Sequence, residues 1–180
     1  SLVVTDQGLT SPERAQPPIP ASTVCRFRGP YSLSWSPDLA RVVRQEVQDA
    51  DVVHVHAIDN YVSVVAMREA VRARVPWVLQ PHGAWDPYHR AHGKVRKAVW
   101  GRLFQDRYTS KAGSVVVSSS REGRGAADAV LGVPHQVIPL GVDPALAAVP
   151  QNDAREGLLF LGRVAPVKRI DLLFAALAGW

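Results

Sequence analysis

Apolar runs of four to seven residues alternate along this chain with longer segments whose apolar residues recur at helical spacing, and nothing else in the sequence constrains the fold as tightly. Strands joined by crossover helices leave this pattern, so it predicts an α/β fold with a Rossmann-like parallel sheet and helices on both faces. Strands are expected at residues 1–5, 23–28, 51–56, 77–80, 114–118 and 135–138. Ser36-Pro37-Asp38 supplies an N-cap, a proline at the first helical position and an early acid, which predicts a helix over 37–48. Asp59 is placed to cap a helix to residue 74, whose Val64, Met67 and Val71 share one face. Ser119-Ser120-Arg121-Glu122 has capping-box spacing, so Ser119 should accept from the amide three residues on while Glu122 reaches back. A loop rich in proline (Pro12, Pro17, Pro18, Pro20) separates the first two strands.

After Asn152 the pattern restarts. A strand is expected at 157–161, a loop opens at Gly162-Arg163, and Ile170, Leu173, Phe174 and Leu177 mark a helix. One strand and one helix cannot cover a sheet. The reading is therefore a domain over 1–145, a connection over 146–156 and the truncated start of a second α/β domain over 157–180. The chain opens inside an expected strand and without Met, which points to numbering that starts partway into a longer gene product.

Composition closes off other classes. With 47% hydrophobic residues and a net charge of only +5 the 180-residue chain is not of the disordered kind, and no apolar run approaches the roughly 18 residues of a membrane span. The single Cys25 rules out an intramolecular disulfide and a cysteine zinc site, and it fits a reducing compartment. Ser1-Leu2-Val3-Val4-Thr5 lacks the regions of a signal peptide, so the expected location is cytoplasmic.

The charge is concentrated. Residues 90–111 hold seven cations (Arg90, Lys94, Arg96, Lys97, Arg102, Arg107, Lys111) against Asp106, a local +6, while the remainder of the chain sums to −1. On a helical wheel Val95, Val99 and Leu103 make one stripe and Trp100, Phe104 and Tyr108 another, with cations around both. Either this is a solvated helix with one packed side, or it contacts an anionic surface: a membrane, a nucleic acid or a phosphorylated substrate.

Five segments in fixed order carry a family resemblance. They are Asp51-Val52-Val53-His54-Val55-His56; Gln80-Pro81-His82-Gly83 with Asp86-Pro87; Ser118-Ser119 with Glu122; Val137-Ile138-Pro139-Leu140-Gly141-Val142-Asp143; and Leu159-Phe160-Leu161-Gly162-Arg163 with Pro166 and Lys168. From about Trp35 onward the chain resembles glycosyltransferase family four, of the GT-B group, and within it the subgroup that builds bacterial exopolysaccharides and capsules. The resemblance implies two Rossmann-like domains facing each other across a cleft. It implies transfer of a hexose from a nucleoside diphosphate sugar to a saccharide or lipid-linked acceptor, with retention at the anomeric carbon. The nucleotide sugar is then a substrate and no cofactor is expected. It further implies that an opening strand and Gly-rich loop precede Ser1 and that most of the donor-binding domain follows Trp180, so the 180-residue piece is expected to be inactive.

Such a reaction must stabilise a departing diphosphate. Arg163 and Lys168, five apart across a loop that leads into a helix, are placed to converge on a pyrophosphate at that helix's N-terminus, with no metal needed; otherwise they are solvated loop residues. His82, with Gly83, sits just past a strand end, where open α/β sheets place ligands. The resemblance puts His82 near the transferred sugar, and the alternative is a histidine that braces the loop. Asp86 binds an acceptor hydroxyl or caps the basic helix, the cap being favoured. His54 and His56 share a strand face, as a metal pair or, the favoured reading, by packing with His56 edging into the cleft. Ser118 ends its strand on the side of His82. Gly141 reads as a backbone requirement and Asp143 as a turn residue.

Gly123-Arg124-Gly125-Ala126-Ala127-Asp128 approaches a dinucleotide fingerprint, but its sixth position is Asp and its glycines fall after the capping box. The remaining alternative is a Rossmann-like nucleotide- or nucleic-acid-binding module working through residues 90–111; the aromatics of that segment speak for it, but it lacks recognition modules and the interleaved stacking signature, and no nucleic acid partner is expected.

Overall fold

The computed structural model describes residues 2–5, 22–26, 28, 34–147 and 157–178. The Pro-rich loop and most of the 146–156 connection lie outside the described residues. The chain divides into two compact units, residues 1–141 and 142–180.

In the first unit all six expected strands form, in two sheets. β1 (Leu2–Thr5) and β2 (Ser22–Cys25) pair in parallel, Leu2 opposite Ser22. β3 (Val53–His56), β4 (Trp77–Gln80), β5 (Ser114–Val117) and β6 (His135–Val137) form a parallel sheet in chain order. Its register sets Val55 opposite Leu79, and Leu79 opposite Val115. Because side chains alternate across a strand, this register gathers Val55, Trp77, Leu79, Val115 and Val117 on one face. That face is the core, completed by Val64, Met67 and Ala70 of α2 (Tyr61–Ala73) and by Ala126 of α6 (Ser120–Ala129). The opposite face carries His54, His56, Val78, Gln80, Ser114 and Val116, all partly or fully exposed.

Several helix starts differ from the sequence reading. α1 is Leu39–Gln48, with Asp38 at its N-cap and no side-chain cap bond; the expected cap, Ser36, is buried with its hydroxyl unpartnered. Asn60, not Asp59, caps α2, its side chain accepting from the Ser63 amide at 2.9 Å. The expected single basic helix is broken. α3 (Pro87–Ala91) ends before Gly93, which turns left-handed at φ 65°, and α4 (Lys94–Trp100) runs into a π-turn at Gly101–Gln105 and then α5 (Asp106–Thr109). A π-turn takes up one more residue than an α-turn, so the inward position falls on Gln105 (4% exposed) rather than Phe104 (43% exposed). Trp100 and Tyr108 still pack on the core, as their stripe predicts.

α1 is locked to α2 by Glu69. Its buried carboxylate accepts from Arg44 of α1 at 3.1 Å and from Arg68 and Arg72 of α2 at 2.8 and 3.2 Å. Below them Leu39, Val43 and Val47 pack with Val65 and Cys25.

In the second unit α7 (Pro144–Ala147) precedes a 3₁₀ turn (Pro166–Lys168) and α8 (Ile170–Leu177). The helix forms where its periodicity places it, but the strand expected at 157–161 does not. A strand needs a neighbour for its backbone groups, and no described segment supplies one, so residues 158–161 run as exposed irregular chain.

Burial pushes the Glu69 carboxyl upward, but the bonds from Arg44 and Arg68 outweigh it and hold the group below the usual carboxylate range. A folded-state value below the unfolded one stabilises the fold fully above the ordinary range, and that stability is lost as pH falls through the depressed value. Glu69→Ala is expected to lower unfolding free energy by about 1–2 kcal/mol at neutral pH, since its arginines are largely solvent-screened. The difference between the two proteins should shrink toward pH 3 in urea titrations; a deficit independent of pH would contradict the assignment.

Candidate functional site

At the carboxyl end of β4 the chain makes two successive left-handed steps, His82 at φ 53° and Gly83 at φ 84°. Glycine adopts this conformation freely; histidine does so at a cost that surrounding structure must offset. Glu122 supplies much of the offset. Its side chain is fully buried, and one carboxylate oxygen accepts from the Gly83 amide across 39 residues of sequence. The other accepts from the amide and hydroxyl of Ser118, at 3.3 and 3.4 Å, at the end of β5. The Ser119 hydroxyl accepts from the Glu122 amide at 3.2 Å, the half of the capping box that the spacing predicts. The other half is redirected: the carboxylate goes to Ser118 and Gly83, so one acid joins two strand ends and a helix start.

On the open face of the sheet this loop meets β3. Nδ1 of His56 and Nε2 of His82 lie 2.8 Å apart, with ring planes inclined by 20°. His54 stacks on the other side of His56, ring centroids 4.2 Å apart. The two strand histidines therefore stack rather than converge on a metal, and His56 spends a ring nitrogen on His82. Burial, then His54 and His82 as like-charged neighbours, lowers the His56 pKa below its ordinary 6.5, so His56 is neutral at neutral pH.

The other predicted site residues have definite tasks. Asp86 caps α3, accepting from the Tyr88 amide at 2.8 Å, and pairs with Arg121 at 3.0 Å, which is the favoured of its two readings. Asp143 accepts from the Ala145 amide at 2.9 Å in the turn expected of it. Gly141 is not left-handed and a Cβ there would meet open space, so its expected backbone role is not observed. The fingerprint-like glycine at 125 has a packing reason instead: a Cβ would run into the carbonyl oxygen of Trp85.

In the second unit Arg163 and Lys168 are exposed, and neither side chain is bonded within the described structure. Between them and α8 stands Arg169, left-handed at φ 48°, whose guanidinium bonds Asp171 at 2.9–3.2 Å. Asp171 is held below its usual range by that bond.

One feature escaped the sequence reading. A cavity of about 780 Å³ opens beside the Ala84-Trp85 part of the loop, with Asp59, Arg90, Lys97, Gln105 and Asp128 among its walls. Gln105 Oε1 accepts from the Asp59 amide at 2.8 Å and its Nε2 donates to the Asp59 carboxylate at 3.4 Å, while Asp59 is left-handed at φ 61°, a backbone that does not suit an N-cap. Burial raises the Asp59 carboxyl despite Lys97 and Gln105, which favour its charged form. Only the π-turn brings Gln105 inward, and an inserted residue leaves no periodic signature in sequence.

Residues 2–146 match the family described as Glycosyltransferase Family 4. Two curated relatives, from Xanthomonas oryzae pv. oryzae (strain PXO99A) and Xanthomonas campestris, both bear the name GDP-mannose:cellobiosyl-diphosphopolyprenol alpha-mannosyltransferase. The first is 29% identical over 58% of this chain and 27% of its own length; the second is 26% identical over 84% and 39%. The chain thus spans well under half the length of either. No solved structure matches. With a family match over most of its length, on a parallel sheet whose strand ends assemble the histidine loop, the chain belongs to glycosyltransferase family 4.

Proposed function

We propose that this protein moves a hexose from a nucleoside diphosphate sugar to a saccharide carried on a lipid diphosphate, in bacterial polysaccharide assembly. The observation that carries the reading is the built loop at the carboxyl edge of a parallel sheet, where α/β folds bind ligands. His82 lines the transferred sugar there, with Gly83 beside it. Arg163 and Lys168 take the departing diphosphate, Arg163 through its planar fork and Lys168 as a point charge, so that leaving-group charge is stabilised without a metal. The names of the relatives support guanosine diphosphate mannose as the first donor to test. Retention of anomeric configuration follows from the family reading. The cavity beside Trp85 holds acceptor hydroxyls, since its acids and cations offer both acceptors and donors to a neutral polyol.

In this reading the basic segment holds the enzyme against the anionic inner face of the plasma membrane. No helix among the described residues is long and apolar enough to cross a membrane. Yet Val95, Val99 and Leu103 stand 79%, 53% and 56% exposed among Lys94, Arg96 and Arg102, and an apolar stripe flanked by cations suits an anionic lipid interface. The exposed stripe is aliphatic, and with Trp100 and Tyr108 packed on the core only Phe104 of the segment's aromatics stands exposed, which gives nucleic-acid bases little to stack on and disfavours the binding-module reading.

Calorimetry of the full-length protein with guanosine and uridine diphosphate sugars should show binding that Arg163→Ala, Lys168→Ala weakens by about a hundredfold, from the loss of two charge-assisted contacts. Absence of binding by the folded parent would overturn the transferase reading in its donor chemistry. Sedimentation with phosphatidylglycerol vesicles should weaken by roughly two orders of magnitude when Lys94, Arg96 and Lys97 become Gln, at about 1 kcal/mol per cation; unchanged partition would refute the membrane contact.

A further inference from the structure

We propose that His56 is a positioning residue: its Nδ1 holds Nε2 of His82, fixes the His82 ring in one orientation and one tautomer, and leaves His82 Nδ1 as the nitrogen that a bound sugar meets. The inference rests on the reading that His82 lines the sugar site only for its consequence in turnover; the positioning itself rests on geometry.

The two nitrogens are 2.8 Å apart, the ring planes are inclined by only 20°, and the ring centroids lie 5.1 Å apart, close to the nitrogen separation plus a ring radius at each end, so the rings meet edge to edge and nearly coplanar. Imidazole lone pairs and N–H bonds lie in the ring plane, so near-coplanar rings meeting nitrogen to nitrogen form an in-line bond. Such a bond carries one proton, which requires one ring to donate and the other to accept. If both rings were protonated they would present two donors and the bond would break. The surroundings keep His56 neutral. The titratable groups that act on it are His54, on its own strand, and His82, on the facing loop. Gln80, opposite it in β4, bears no charge.

His56 is itself held still. Stacking on His54 limits its ring on one side. Its carbonyl accepts from the Ser63 hydroxyl at 3.2 Å, and the next residue, Ala57, turns left-handed at φ 66° with its amide bonded to the Gln80 carbonyl at 2.8 Å. On the other partner, Glu122 fixes the backbone of Gly83. A ring anchored at its backbone by one strand end and at its edge by another has little freedom left, which is what a group that must meet a sugar hydroxyl in one geometry needs. A second partner that sets the tautomer of a functional histidine is a recurrent device, and its removal is costly even where the histidine remains.

The test is long-range ¹H–¹⁵N spectroscopy of the histidine rings at pH 8 in the full chain, beside His56→Phe and His56→Gln. The parent should show His82 with a roughly fivefold or greater preference for one neutral tautomer, the ratio one net hydrogen bond supports. His56→Phe, which fills the space without a bonding atom, should bring the two tautomers toward equality. His56→Gln, whose amide can offer a donor or an acceptor, should restore the preference. An unchanged His82 pattern in His56→Phe, or a failure of Gln to restore what Phe loses, would overturn the proposal. The full-length enzyme should lose about tenfold in kcat with His56→Phe and recover with Gln, with donor KM changed less than twofold. If the rings respond but turnover does not, the positioning stands and the sugar-site role of His82 falls.

Discussion

A carboxylate removed from water must have its charge answered by donors, and Glu122 finds them in the backbones of two strand ends. That requirement organises the site. Glu122, the third residue of the helix that begins at Ser120, bonds Gly83 and Ser118 together and so ties that helix to two strand ends. The chain after β4 bonded in this way makes the left-handed turn that sets His82 against His56. Gly125 works from the same helix: only the absence of a Cβ lets it lie against the Trp85 carbonyl, so the first two turns of α6 grip both ends of the loop.

The histidines occupy the sheet's open face, and the Val and Leu residues that alternate with them occupy its core. One register thus decides two things at once. A slip by a single residue would bury His54 and His56 and expose Val55. Fold stability and placement of the site are for this reason not separable along β3.

Much of this was legible in sequence, and the boundary between what was and what was not is physical. The strands of the first unit, α2 and α8 follow from apolar periodicity, and the start of α6 from the cap spacing of Ser119, because pattern and cap are both written within a few residues. Glu122 shows the limit: its spacing to Ser119 was readable, its bond to Gly83 was not, because 39 residues intervene. Asp59 and Asn60 are both good caps, but Asp59 is left-handed and bonded to Gln105, 46 residues away, while Asn60 has the extended backbone of a cap. The apolar run at 157–161 had the composition of a strand and lacked a neighbour to pair with. The His56–His82 bond needed the register of β3 on β4, which no local pattern states.

Glu122 is the clamp on the His82 loop, and amide hydrogen exchange of Glu122→Ala against the parent tests that role most directly. Removing a charged acceptor from a buried amide should speed exchange of Gly83 by about tenfold to a hundredfold. The amides of Val55 and Leu79, in the sheet core, should slow or quicken no more than the global stability change requires. Selective release of Gly83 is the predicted result; Gly83 exchanging at the parent's rate, or only in step with the core, would contradict the account.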